Sequence, residues 1–325
     1  MYGSGRLVPI VLGAALLASC ENAGRDRVLG VQATGIVKGL VYFDRNGTRT
    51  PDAGDTTLSG VGVRLIVSAT LDTLGRTTSD TAGLFRFGAV PVGGVLMAVD
   101  STTIPGDSLQ VTRIDVPRVM VTPGDSFVVR IAVSFPQVSV LQARGLPSGK
   151  KVFVVGVALN DVTAFGDRTV HLADTSAALL VTSVRTLVVT GDSVRLLGTR
   201  QTRSGEPTLD NPTVFRLAVG AATPAHPVSS AMAANANGGL FDAALVQVLG
   251  ATVQDTSTVA GNRHLTVTDG SGLLVIQLDT IAGFRRVVVA ADTVGATLDA
   301  TGVLVPTGAG TWILLPRAPL DVVVK

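Results

Sequence analysis

Oxygen-bearing side chains at Asp44, Asn46, Thr48, Asp52 and Asp55 occupy the first, third, fifth, ninth and twelfth positions of one polar loop. A twelve-residue loop wraps a hard cation with this cadence, so calcium is the cofactor the sequence suggests. Arg49 stands at the sixth position, where a sharp turn favours glycine, and it adds a positive charge. Asp55 is shorter than the glutamate that would reach a cation with both oxygens. Two readings stay open: a calcium loop that stiffens the fold, or a solvated Asp/Asn/Gly turn between strands. Catalytic groupings are harder to find. His171, His226 and His264 are scattered, none with a second histidine or carboxylate at metal-ligand spacing. Asp174-Thr175-Ser176 and Asp269-Gly270-Ser271 have the residues of a reactive pair, but they recur as one turn in a repeated unit, where Asp and Ser hydrogen-bond the backbone. No phosphate loop, nucleophile elbow or glycosidase-like carboxylate pair stands out, and the sequence points away from an enzyme.

The single cysteine, Cys20, ends the string Leu17-Ala18-Ser19-Cys20 after a basic Arg6 and an apolar run from Leu7 to Leu17. This arrangement resembles the lipobox of a bacterial lipoprotein signal. The resemblance implies a signal segment over 1–20 that is cleaved just before the cysteine, with the Cys20 thiol lipidated and kept as the first residue of the mature chain. The apolar run is too short to span a bilayer, which takes about 20 residues, and suits a secretory signal. The expected location is the bacterial cell envelope, outer membrane, periplasmic or surface-facing, with the lipid as the membrane contact. With Cys20 acylated no thiol is left for disulfides, so stability must come from packed sheets.

The chain has 325 residues, 46% hydrophobic and only 15% charged, which is enough for two or three domains. Val, Thr, Gly and Asp are abundant, a mixture that suits half-buried strands and the turns between them. No stretch of the mature sequence sustains helical periodicity; the Ala-rich Ser230 to Ala234 is the best case and is short. The net charge is +2, and only residues 137–230 are basic, with nine Lys/Arg against six Asp/Glu. That is too mild for strong phosphate-driven binding.

After a polar tether over 21–34, strands are expected at Ile36–Phe43, Val61–Val67, Ser108–Ile114 and Ser126–Ser134, with another between Asp80-Thr81-Ala82-Gly83-Leu84-Phe85-Arg86-Phe87 and Val90-Pro91-Val92-Gly93-Gly94. Together with the loop that begins at Asp44, this succession resembles the B domains of serine-aspartate repeat surface proteins, within the prealbumin-like and collagen-adhesin B-type sandwiches. The resemblance implies a β-sandwich over 35–136. Some relatives carry a Lys-Asn isopeptide crosslink, but the only Asn between 35 and 135 is Asn46 in the loop, so Lys38 reads as a strand-face charge.

The remainder repeats at roughly 95 to 104 residues. Val152-Phe153-Val154-Val155-Gly156 matches Leu245 to Gly250, Leu172 to Ala177 matches Val267 to Gly272, and Gly191 to Gly198 matches Gly295 to Gly302. Five strands per copy, with glycines closing the first and fourth, is the order of an OB-fold barrel. These segments, and the closing Trp312 to Val322, resemble the OB-fold domains that accompany extracellular bacterial nucleases. The whole chain is therefore expected to be all-β: an N-terminal sandwich followed by two tandem OB-fold-like five-stranded barrels over 137–222 and 241–325, with 223–240 as linker.

An OB-fold binds across its second and third strands, flanked by the loops between strands one and two and strands four and five. In the first copy these loops, 160–168 and 199–206, hold Phe165, Arg168, Arg200 and Arg203. One ring and three cations facing one groove would suit single-stranded nucleic acid, or a sugar stacked on Phe165. The four residues equally suit ordinary polar loops. The corresponding loops of the second copy, 254–261 and 306–311, lack aromatics and cations, so it is expected to be a spacer. The functional expectation is a non-catalytic, lipid-anchored scaffold for adhesion or ligand binding. Its candidate partners are an extracellular polysaccharide, single-stranded nucleic acid or an envelope protein. The alternative is nucleic-acid or oligosaccharide binding through the first barrel, as accessory to a separate hydrolase.

Overall fold

The computed structural model of the chain describes residues 33–106, 108–220, 223–284, 291–308 and 310–325. Cys20, its signal segment and most of the expected tether lie outside the described residues. The fold is all-β. Nine strands form the N-terminal sandwich: β1 (Thr34–Phe43), β2 (Thr56–Thr57), β3 (Gly62–Val67), β4 (Thr73–Thr78), β5 (Leu84–Pro91), β6 (Gly93–Val99), β7 (Gln110–Ile114), β8 (Arg118–Val121) and β9 (Ser126–Ser134). One sheet runs β2-β1-β9-β7 with β5 also on β1, and the other runs β4-β3-β6-β8. Alternation along the strands sends Val37, Val41, Val63, Leu65, Ile131 and Phe85 into the space between the sheets. Lys38 lies on the opposite, exposed face of β1, as a strand-face charge should.

The repeat becomes two closed barrels. The first uses β10 (Gln137–Val138), a short helix α1 (Val140–Gly145), β11 (Lys151–Ala158), β12 (Val170–Ala173), β13 (Ala178–Thr182), β14 (Asp192–Arg203) and β15 (Glu206–Val219). The second uses β16 (His226–Pro227), α2 (Ser230–Ala234), β17 (Leu245–Val259), β18 (Asn262–Thr268), β19 (Leu274–Leu278), β20 (Thr297–Gly308), β21 (Thr311–Leu315) and β22 (Val322–Val324). In each copy the first strand pairs with the fourth to close the barrel, and the third runs parallel to the fifth. The closing registers agree: Val152 faces Gly198, and Val246 faces Gly302. A Cβ on Gly198 would lie 2.5 Å from the Leu209 side chain, and one on Gly302 would lie 2.7 Å from the Leu315 backbone. Glycine is therefore needed where the strands cross most closely.

Residues 223–240, expected to be a linker, are instead built into the second barrel. β16 runs parallel to the first barrel strand, as β10 does in the first copy, and Ala233 and Ala236 are fully buried in the second core. The recurring Asp-x-Ser turn explains the two short helices. Asp174 accepts from the Val140 N–H at 2.8 Å and Ser176 from the Leu141 N–H at 3.1 Å; Asp269 accepts from the Ser230 N–H at 3.0 Å and Ser271 from the Ala231 N–H at 3.1 Å. Each turn thus caps a helix from across the barrel, satisfying donors that a helix start leaves free. Burial of Asp269 works against ionisation, but the Ser230 and Ser271 hydroxyls and backbone N–H groups outweigh it and hold the carboxyl below its usual range. Among the described residues no helix is long and apolar enough to cross a membrane.

The three parts touch through specific contacts. Arg195 on the outer face of β14 donates to the Asn46 carbonyl at 3.0 Å, tying the first barrel to the sandwich loop. Gly47, with φ of 71°, fits there because a Cβ would crowd Phe153 and Arg195. The two barrels share a small apolar core that includes Leu159, Phe165, Ala178, Leu245, Val303 and Leu315. Arg317 reaches across to the Leu159 carbonyl at 2.8 Å while paired with Asp321.

Candidate functional site

The cadence of the 44–55 loop does gather its side chains, but onto the loop itself. Asp44, fully buried, accepts from the N–H groups of Thr48 (3.1 Å) and Arg49 (2.8 Å). Asp55 accepts from the N–H groups of Arg45 (3.1 Å) and Asp52 (3.0 Å), and Asp52 accepts from the Asn46 amide at 2.6 Å and from the Thr48 hydroxyl at 3.4 Å. Arg49 takes the sixth position with φ of 63°, so a non-glycine residue adopts the left-handed turn. Burial, with the charges of Asp52 and Asp44 adding, pushes the Asp55 carboxyl up despite its two N–H donors. Among the described residues no three His, Cys, Asp or Glu side chains are grouped to hold a metal. In this arrangement the oxygens read for a cation accept from N–H, amide and hydroxyl donors of their own loop. Millimolar calcium is accordingly expected to leave the thermal midpoint unchanged. A clear rise on calcium addition would overturn this reading, because a cation that binds only the folded chain must stabilise it.

The nucleic-acid groove expected on the first barrel is not assembled, and this is a correction to the sequence reading. Phe165 is 8% exposed and packs edge-on against His171, centroids 6.1 Å apart, within the core shared by the two barrels. Arg200, also 8% exposed, spends its guanidinium on the Arg144 carbonyl, the Gln201 carbonyl and the Thr202 hydroxyl. Burial, and then the nearby charge of Arg144, pull it below the usual arginine range. Arg203 pairs with Asp210 at 2.9 Å. Only Arg168 stands exposed without such a commitment. Trp312, half-buried against the second core, donates its indole N–H to Asp242 at 2.8 Å. Each histidine also has a partner. Buried His171 faces the Asn160 amide oxygen at 3.0 Å, and His264 meets Gln277 across a strand pair at 3.2 Å. His226 stacks on Phe241 with centroids 5.6 Å apart.

What the barrels form instead is a groove between them, with a cavity of about 510 Å³. One wall is the β11–β12 surface at Val157 and Ala173, continued by the 174–177 turn. The other wall is His226, Leu240 and Phe241 from the segment that leads into the second barrel. Leu240 is 67% exposed at its mouth. Sequence reasoning missed this groove because part of one wall, Thr223, Pro224, His226 and Leu240, comes from residues read as linker. Behind it the barrels are clamped by a charged cluster. Arg144 pairs with Asp242 at 3.0 Å and also donates to the Ala178, Asp242 and Gly239 carbonyls. Glu206 approaches the same pair; burial, then the hydrogen bond and charge of Asp242, push its carboxyl up to about 8 against the pull of Arg144.

No family model matches the chain, and no curated protein matches it. Solved structures are matched only at low similarity. The minor pilin GBS52 of Streptococcus agalactiae is 14% identical over 32% of this chain and 45% of its own, with a TM-score of 0.24. A streptococcal ancillary pilin is 15% identical over 58% and 60%, with a TM-score of 0.24. The HINa domain of Ifi202, in complex with 20bp dsDNA, is 12% identical over 55% and 97%, with a TM-score of 0.28. The chain spans less than half the length of the minor pilin it matches.

Proposed function

We propose that the chain is a non-catalytic cell-envelope protein, lipid-anchored at Cys20, that acts as a scaffold for adhesion or ligand capture. Its ligand site is the apolar groove between the two barrels. The observation that carries this reading is the groove itself: a cavity within the roughly 300 to 1,000 Å³ range of ligand sites, mostly apolar, with a few polar groups at its edge. Three β-domains joined by packed contacts suit presentation of a site away from a membrane, where local concentration can substitute for affinity. Nucleic-acid binding across the loops of the first barrel finds less support, because Phe165, Arg200 and Arg203 are engaged internally.

Two measurements test the proposal. With a clickable fatty acid supplied to expressing bacteria, the wild type should carry label in the membrane fraction, and Cys20→Ser should lose both label and membrane association. An unlabelled wild type removes the anchor. An apolar naphthylamine fluorophore should brighten on the full chain and lose at least fivefold in affinity in Leu240→Asp, whose exposed position spares the fold. Equal brightening in the variant would remove the groove as the site.

A further inference from the structure

A second cavity, of about 330 Å³, lies between the sandwich and the first barrel, and its lining differs in kind from that of the inter-barrel groove. Phe43 closes β1 and Phe135 follows β9, and their rings meet edge to face with centroids 5.9 Å apart. Phe215 faces them from β15, tilted against buried Phe153 at 6.2 Å. In a chain with 4% aromatic residues, three half-buried phenylalanine rings around one opening form a distinct stacking surface. Two cations share the lining. Lys151 holds its ammonium 4.9 Å from the Phe135 centroid, and exposed Arg45 comes from the sandwich loop. Neither side chain makes an ion pair among the described residues, and no carboxylate lines the cavity. The acids of the adjoining loop, Asp44, Asp52 and Asp55, accept from N–H and amide donors of that loop. A further donor, the Arg195 Nε, is buried at this junction without an acceptor.

We propose that this cleft binds a small aromatic anion, a flat ring carrying a phosphate or carboxylate, of about one nucleotide's size. The ring stacks between the Phe43–Phe135 pair and Phe215, and the anionic group lies between Arg45 and Lys151. The cavity sits at the small end of ligand sites, room for one ring and its charged group. Stacking on phenylalanine rewards any flat ring, and paired cations reward the charge, so both parts of the ligand are needed. This inference stands apart from the inter-barrel groove and survives its failure.

Calorimetric titration of the full chain with uridine monophosphate and, separately, indole-3-acetate tests it and distinguishes the two sources of such an anion. Binding of either below millimolar, with uridine and neutral indole much weaker, is the expected result. Arg45→Gln with Lys151→Gln, both exposed positions, should weaken binding at least tenfold and remove most of its salt dependence. Phe215→Ala should weaken it about tenfold while keeping the salt dependence. Arg203→Gln, outside the cleft, should change nothing. No binding of either anion, or binding that ignores the Arg45 and Lys151 changes in a chain whose melting is unaltered, would overturn the proposal.

Discussion

Arg144→Met should lower the stability of the chain by about 3 to 5 kcal/mol, the range found when one partner of a buried ion pair is removed. Arg144 and Asp242 have side chains only 17% and 7% exposed, so neither recovers much hydration when the other is lost. The methionine fills a similar volume but makes none of the guanidinium's bonds. The carbonyls of Ala178, Asp242 and Gly239 lose a donor together, and Asp242 is left with the Trp312 indole and the Glu206 carboxyl for company. Because these groups come from α1, β13 and the segment that leads into β17, the loss falls on the contact between the barrels. Urea unfolding should change from one cooperative transition to two, with the barrels separating first. Arg203→Met is the control: its pair with Asp210 is 53% and 24% exposed, and its loss should cost under about 1 kcal/mol. Equal, small effects for both changes would show that the Arg144 cluster does not hold the barrels together.

The parts of the fold legible in the sequence were those written locally. Alternating residues from Thr34 to Phe43 and from Ser126 to Ser134 mark strands, and the repeated glycines at 198 and 302 mark the same barrel crossing. The helices were less visible, since α1 and α2 are too short for periodicity. Their signal is the caps: Ser139 with Gln142 forms a reciprocal capping box, and Ser229 caps α2 one way, accepting from the Met232 N–H. The site was misplaced for a different reason. Arg200 and Phe165 sit on the loops where an OB-fold ligand would lie, but the side chain of Arg200 reaches a carbonyl 56 residues away, and Phe165 is covered by the second barrel. Neither distant partner leaves a mark in the local pattern. The same holds for the aromatic cleft: Phe43, Phe135 and Phe215 are 172 residues apart at the extremes and meet only because the ends of β1 and β9 reach the face of β15.

Stability should fall as pH rises from about 6.5 to 8, and Glu206→Gln should abolish that fall. Glu206 holds its proton in the folded chain up to about 8, against an ordinary value of 4.5. Between those limits the folded state binds a proton that the unfolded state has released, so its stability decreases with rising pH and levels off above 8. His171 has the opposite effect on the acid side. Burial lowers its pKa to about 4 from 6.5, so between those values the unfolded chain takes up a proton that the folded chain refuses, and stability increases with pH. The two slopes oppose each other up to about 6.5, leaving Glu206 alone beyond it. A full slope over that interval would be about 2 kcal/mol. Glu206 is only half-buried, and solvent screening brings the expected loss to about 1 kcal/mol. The glutamine keeps a donor for Asp242 and cannot ionise, so a flat profile from pH 6.5 to 8.5 in urea melts is the expected result. A variant with the wild-type slope would place the titrating group elsewhere, and the junction would lose its pH dependence.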